Sequence, residues 1–321
     1  PDFYARANAT RSDSDNYEEG DGNEVHSFYT RWSTSAALGW TPDDNTLVEL
    51  SAGRSDGEAA YADRTMDGTA FERENVALKF EKRNISALVS KVEANVYYSY
   101  VDHVMDNFSL RPPLTPTSVK NPDRETKGGR FAVTLTPTEP LQLVLGADIK
   151  SDEHTLRSGS ATVDYSELPR DGDLSFDRYG VFGEATYALT DLQRVIGGIR
   201  IDDHEVTDDR QGASPSFGQT ASDTATSGFV RFEQDYAGGA GTWYAGVGYV
   251  ERFPDYWEYM RANTKGGETF GSLEPEKTTQ LDVGANWARG QWSASVSGFY
   301  SKVDDYILLR WINPMSAAVR N

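Results

Sequence analysis

The chain has 321 residues and carries 50 acidic against 31 basic side chains, a formal charge of −19, with no cysteine. That balance excludes a nucleic-acid partner, because no basic stripe is available to neutralise phosphates, and the missing thiols exclude a disulfide framework, a thiolate metal site and a cysteine nucleophile. No window approaches about 18 consecutive apolar residues, which excludes a transmembrane helix but not a membrane strand, since a strand needs only about 9–11 residues with alternate ones facing lipid.

In chain order, alternation of apolar and polar residues predicts thirteen strands, over 1–10, 24–40, 45–56, 69–82, 87–101, 124–136, 140–151, 173–189, 193–205, 225–237, 242–252, 274–288 and 291–307. The period of two is plainest at Val92, Ala94, Val96 and Tyr98, at Leu141, Leu143, Leu145, Ala147 and Ile149, at Leu281, Val283, Ala285 and Trp287, and at Trp292, Ala294, Val296, Gly298 and Tyr300. Side chains of a strand alternate between its two faces, so each run has one apolar and one polar side. Tight turns fall near Pro42–Asp44, Arg83–Ile85, Pro137–Glu139, Thr190–Leu192, Ala237–Gly241 and Gly290. Between them lie long polar connections at 11–23, 57–68, 102–123, 152–172, 206–224, 253–273 and 308–321.

In an up-and-down sheet every second connection falls on the same edge, so one edge is trimmed close and the other is elaborate. That is the asymmetry of a transmembrane antiparallel β-barrel, with short periplasmic turns and long external loops. Alternation alone fits a soluble β-sandwich as well. Two details favour the membrane: strands longer than the usual five or six residues of soluble sheets, and aromatics at the short-turn edge. The latter are Trp40, Tyr187, Tyr236, Trp243, Tyr244, Trp287 and Trp292, read as a headgroup girdle or as ordinary cross-strand pairs. No second domain or linker is predicted. The chain opens Pro1-Asp2-Phe3, without initiator Met or signal peptide, and is expected to be a mature or internal piece of something longer.

No catalytic constellation emerges, and the acidic run Asp171-Gly172-Asp173…Asp177 lacks the ligand spacing of a calcium loop. The four methionines, Met66, Met105, Met260 and Met315, all fall in the predicted long loops. Methionine is ordinarily core filler; exposed thioethers are soft ligands suited to copper, which imidazole also binds. His103-Val104-Met105 is the sharpest candidate. On extended backbone its first and third side chains point the same way, about 6–7 Å apart at Cα. The plainer alternative is a loop histidine beside a packed methionine. His26, His154 and His204 also lie near the long-loop edge and are left unassigned.

At Arg252-Phe253-Pro254-Asp255-Tyr256-Trp257-Glu258, Gly271-Ser272-Leu273-Glu274-Pro275-Glu276-Lys277 and Gly298–Ile307 the chain resembles a TonB-dependent outer-membrane receptor, with Phe253 the departure from the first pattern. Within that superfamily, Phe71–Phe80 and Tyr100–Phe108 most resemble the copper receptors. The resemblance implies that residues 1–321 are part of a barrel of about 22 strands in a Gram-negative outer membrane, without its N-terminal plug. It implies copper as the transported ligand, a TonB energy-coupling complex as partner and no enzymatic activity. His103 and Met105 would be barrel-side ligands, with Met66, Met260 and Met315 as weaker contacts; a plug-side Cys and Met would complete the site. A ferric-siderophore receptor, using Trp257, Tyr259 and Arg261, is the nearest rival. A passive porin or a soluble β-rich binding module is the more distant one.

Overall fold

The long strands are set by residue alternation and assemble with their neighbours in sequence. The computed structural model describes residues 2–313 and 316–320. Its elements are β1 (Asp2–Ser14), β2 (Tyr17–Glu18), β3 (Glu24–Val25), β4 (Tyr29–Thr41), β5 (Thr46–Ala59), β6 (Asp67–Arg83), β7 (Val89–Asp106), β8 (Val119–Thr138), β9 (Leu141–Gly159), β10 (Asp171–Thr190), β11 (Gln193–Asp208), β12 (Thr220–Tyr236), β13 (Gly241–Arg252), helix α1 (Tyr256–Met260), β14 (Glu276–Arg289), β15 (Trp292–Asp304), β16 (Leu308–Asn313) and β17 (Ser316–Arg320). A 13-stranded antiparallel sheet runs β1, β4 and on through β15 without a crossover. The hairpins β2–β3 and β16–β17 stand apart from it.

The sheet is inside-out by the standards of a water-soluble fold, and this separates the two readings of the alternation. Leu145, Ile149, Val181, Ile199, Leu281 and Val283 are all exposed, whereas Glu81, Thr126, Asp152, Asp202 and Glu233 are buried. An apolar side chain left in water forgoes about 1.5–3 kcal/mol of burial free energy. A continuous exposed apolar wall of this size therefore needs hydrocarbon around it. The polar face satisfies itself: Arg200 sits between Asp148 (2.7 Å) and Asp202 (2.5 Å), and Arg194 pairs with Glu233 at 2.5 Å. At the short-turn edge Trp40, Tyr187, Trp243 and Trp292 are exposed as a girdle requires. Tyr244 is an exception, held on the inner face with Arg231 4.0 Å from its ring centre.

The main sheet has the thirteen strands the sequence predicts, but the predicted connections 11–23 and 308–321 also carry the short strands β2, β16 and β17, and several strand ends differ. β7 runs to Asp106 rather than 101, β8 starts at Val119 rather than 124, and β9 reaches Gly159 rather than 151. Beyond the apolar band both faces are polar, so pairing continues where alternation no longer marks it. Asn121, Asp123 and Arg157 carry the outer face here: Arg157 donates to Asn121 at 2.6 Å, and Arg170 meets Asp123 at 3.1 Å. Residues 24–28 do not belong to β4, which begins at Tyr29; Glu24 and Val25 pair instead with β2.

Candidate functional site

The outward faces show how high the site lies. On β7 that face runs Val92, Ala94, Val96, Tyr98, Tyr100 and then Asp102; on β9 it runs to Ile149 and then Ser151; on β11 it ends at Ile201 before Asp203. The apolar, membrane-spanning part of each strand stops there. His103, His154 and His204 come immediately after, outside the spanning segments and on the inner face. They line a cavity of about 810 Å³.

His103 and Met105 lie on β7, not in a loop as their positions suggested. The extended backbone places both side chains on the wall of that cavity. The ring of His103 stacks on Phe71, centroids 4.5 Å apart, and its Nε2 is buried without a hydrogen-bond partner. The neighbouring Pro122 has no N–H to give the ladder; the Asn121 side chain donates to the His103 carbonyl at 3.2 Å.

The same cavity collects residues that the sequence left unassigned. His154 of β9 and His204 of β11 are both on its wall, with Met260 of α1 opposite. His154 lies against Tyr256 (4.2 Å) and edge-on to Phe176 (5.7 Å). His204 is held between Phe253 (4.5 Å) and Phe176 (5.8 Å), and both its ring nitrogens are buried without partners. The Met260 sulfur accepts from Arg210 at 3.4 Å. Burial pushes His154 and His204 down to about 4, with Arg124 and Arg178 nearby adding to the shift. Burial also lowers His103, where Asp102 opposes the shift and Arg64 adds to it. Neutral imidazoles are the form that binds metal.

Other candidates are placed elsewhere. Met66 precedes β6 and is not on the cavity wall. Met315 lies outside the described residues. His26 Nε2 is 3.0 Å from Asp67. Trp257 and Arg261 reach the cavity, but Tyr259 is buried against Phe176 and Phe270. Among the described residues no group of three or more His, Asp or Glu side chains could hold a metal ion.

The inward loop between β13 and β14 closes one side of the cavity, and the two sequence motifs explain its fold. Arg252 grips Glu258 through both terminal nitrogens (2.9 and 3.1 Å) and reaches Glu276 through Nε at 2.7 Å. Glu276 in turn accepts from the Ile307 N–H at 2.8 Å. Asp255 caps α1, accepting from the Glu258 N–H while Glu258 accepts from the Asp255 N–H. Phe270, Tyr259 and Leu273 pack with Leu174, Phe176 and Val206 in a hydrophobic cluster on the wall. Tyr256 donates to Asp173 of β10 at 2.5 Å.

A meander of long strands, apolar outside and polar inside, with loops folded over a cavity at one end, is the wall of a transmembrane receptor barrel. The chain belongs to the family "TonB dependent receptor-like, beta-barrel", whose description matches residues 8–320. It is 41% identical to a solved copper transporter, OprC, with a TM-score of 0.91 over 99% of this chain and 53% of that one. The FrpB iron transporter from Neisseria meningitidis matches at 16% identity and TM-score 0.75, over 100% of this chain and 52% of the other. The PiuA siderophore receptor from Acinetobacter baumannii matches at 12% identity and TM-score 0.68, over 98% of this chain and 55% of the other. The last two show the fold alone. The chain thus spans about half the length of the structures it matches. No curated protein matches it.

Proposed function

We propose that this chain is barrel wall from an outer-membrane receptor that captures copper and imports it with energy from a TonB complex. The observation that carries the reading is the convergence of His103 and Met105 on one inner cavity, in a chain 41% identical to a copper transporter. An imidazole and a thioether are borderline and soft donors, a pair that suits copper better than hard cations. His103 presents a nitrogen that nothing in the fold occupies. A plug segment outside this chain would complete the coordination, and displacement of that plug would release the ion inward.

Metal analysis of the detergent-purified complete receptor tests the assignment. One tightly held copper in the parent, lost in His103→Ala/Met105→Ala, is the expected result; copper retained by the variant overturns it. Trp257 and Arg261 on the cavity wall favour a ferric-siderophore receptor as the second reading. That reading takes first place if the parent holds no copper yet binds a ferric chelate.

A further inference from the structure

The cavity carries positive charge that two copper ligands do not use. In a chain of net charge −19, Arg64, Arg124, Arg178 and Arg261 all line it. None of the four has a salt bridge among the described residues. The nearest aromatic rings are the contacts of two of them, Tyr61 for Arg64 (5.2 Å) and Phe253 for Arg178 (5.4 Å). The Nε of Arg178 is buried without a hydrogen-bond partner. Lys120, on the same wall, reaches only the Ser158 hydroxyl among the described residues, at 2.9 Å.

The carboxylates of that wall are already engaged. Asp123, at the cavity edge with its side chain on the outer face, meets Arg170 at 3.1 Å, and Asp152 on the inner face meets Lys150 at 2.6 Å. Asp255 caps α1 through the Glu258 N–H at 2.9 Å. Asp173 takes the Tyr256 hydroxyl at 2.5 Å, and its Oδ1, without a hydrogen bond, lies 3.9 Å from the Arg210 Nε. The charge still offered to a ligand is therefore predominantly cationic.

Unpaired guanidiniums around a cavity repel a bare cation and match carboxylates, which they grip through paired N–H donors. Size agrees. A volume of about 810 Å³ falls within the roughly 300–1,000 Å³ of small-molecule pockets, whereas a water needs only about 30 Å³.

We propose that the cavity receives copper inside a small polycarboxylate chelate of net negative charge, its carboxylates held by Arg124, Arg178 and Arg261, with the metal turned toward His103 and Met105. This rests on the copper reading above and specifies the form in which copper arrives.

Calorimetric titration of the detergent-purified complete receptor with copper(II) citrate, bare copper and metal-free citrate tests it. The parent is expected to bind copper citrate more tightly than metal-free citrate. Arg124→Gln/Arg178→Gln/Arg261→Gln should weaken copper citrate by about tenfold or more, one lost charge-assisted contact being enough for that. Bare copper should move the opposite way and bind the variant more tightly, because repulsion has been removed. Should both ligands weaken together, Arg178→Lys decides: it keeps the charge but removes the fork, and unchanged copper citrate affinity there overturns the proposal. A parent that binds bare copper but not copper citrate also overturns it and leaves the copper reading standing. A parent that binds neither sinks both.

Discussion

The imidazole of His154 lies flat against the phenol of Tyr256, ring centroids 4.2 Å apart and planes 15° from parallel. One ring belongs to the barrel wall and the other to the helix of the inward loop, so this contact is a direct measure of loop docking. The Tyr256 hydroxyl adds a hydrogen bond to Asp173 at 2.5 Å. Burial, and then Asp173 itself, raises the phenol pKa, which keeps it a donor.

Tyr256→Phe should keep the stack and remove the donor, leaving Asp173 without its hydrogen bond. A hydrogen bond to a charged group contributes about 1.5–3 kcal/mol, so loop opening should become roughly tenfold more frequent or better. Hydrogen exchange over residues 253–273 in the complete receptor would report it. Tyr256→Ala, which loses the stack as well, should open further. Equal exchange in parent and Tyr256→Phe would show that the docking energy resides in the rings alone.

Acidification should loosen the same loop. His154 and His204 fall from the ordinary 6.5 to about 4, because burial disfavours the charged ring. With the loop undocked they would return toward 6.5. Between these values the undocked state binds more protons, so docking is complete above about pH 6.5 and is lost as pH falls toward 4. Trp257, exposed on the moving segment, is a fluorescence reporter. A signal flat across that window would contradict the burial of both imidazoles beneath the loop.

Arg252→Lys tests why the two motif segments are separated by a loop. The guanidinium bridges Glu258 within the loop and Glu276 at the start of β14; an ammonium cannot span both with the same geometry. The Arg252 side chain is 44% exposed, so solvent screening holds the expected loss to about 1 kcal/mol. Limited proteolysis should cut near 261–268 several-fold faster in the variant while the barrel strands stay protected. Cleavage at the parental rate would reduce the fork to a surface ion pair.

The barrel was legible because a lipid-facing strand must alternate, and Leu141–Ile149 or Leu281–Trp287 can alternate only one way. Strand ends such as 102–106 and 152–159 were not, since the side chains above the band are polar on both faces and the ladder there is supported by Asn121, Arg157 and Arg170. The His103–Met105 pair was visible as a two-residue spacing. His154 and His204 join it only through the register of five consecutive strands, β7 to β11, and a loop that returns from β13. Met66 shows the limit of counting: it shares the loop edge and not the cavity.

Gly68→Ala probes whether His103 is positioned or merely present. Gly68 pairs with Met105 across the β6–β7 ladder, where β6 carries an irregularity between Gly68 and Ala70. A methyl at Gly68 would run into the ring of Phe71, the ring on which His103 stacks. Phe71 must then turn, and the imidazole loses the surface that fixes its orientation. Neither of the proposed copper donors is altered, so a purely chemical role for His103 and Met105 predicts parental copper affinity. We expect instead a loss of about tenfold, the scale on which second-layer contacts tune a metal ligand. Phe71→Leu combined with Gly68→Ala relieves the clash without restoring the stack, and should stay weak. Recovery of full affinity in that double variant would show that the imidazole needs room and not a platform.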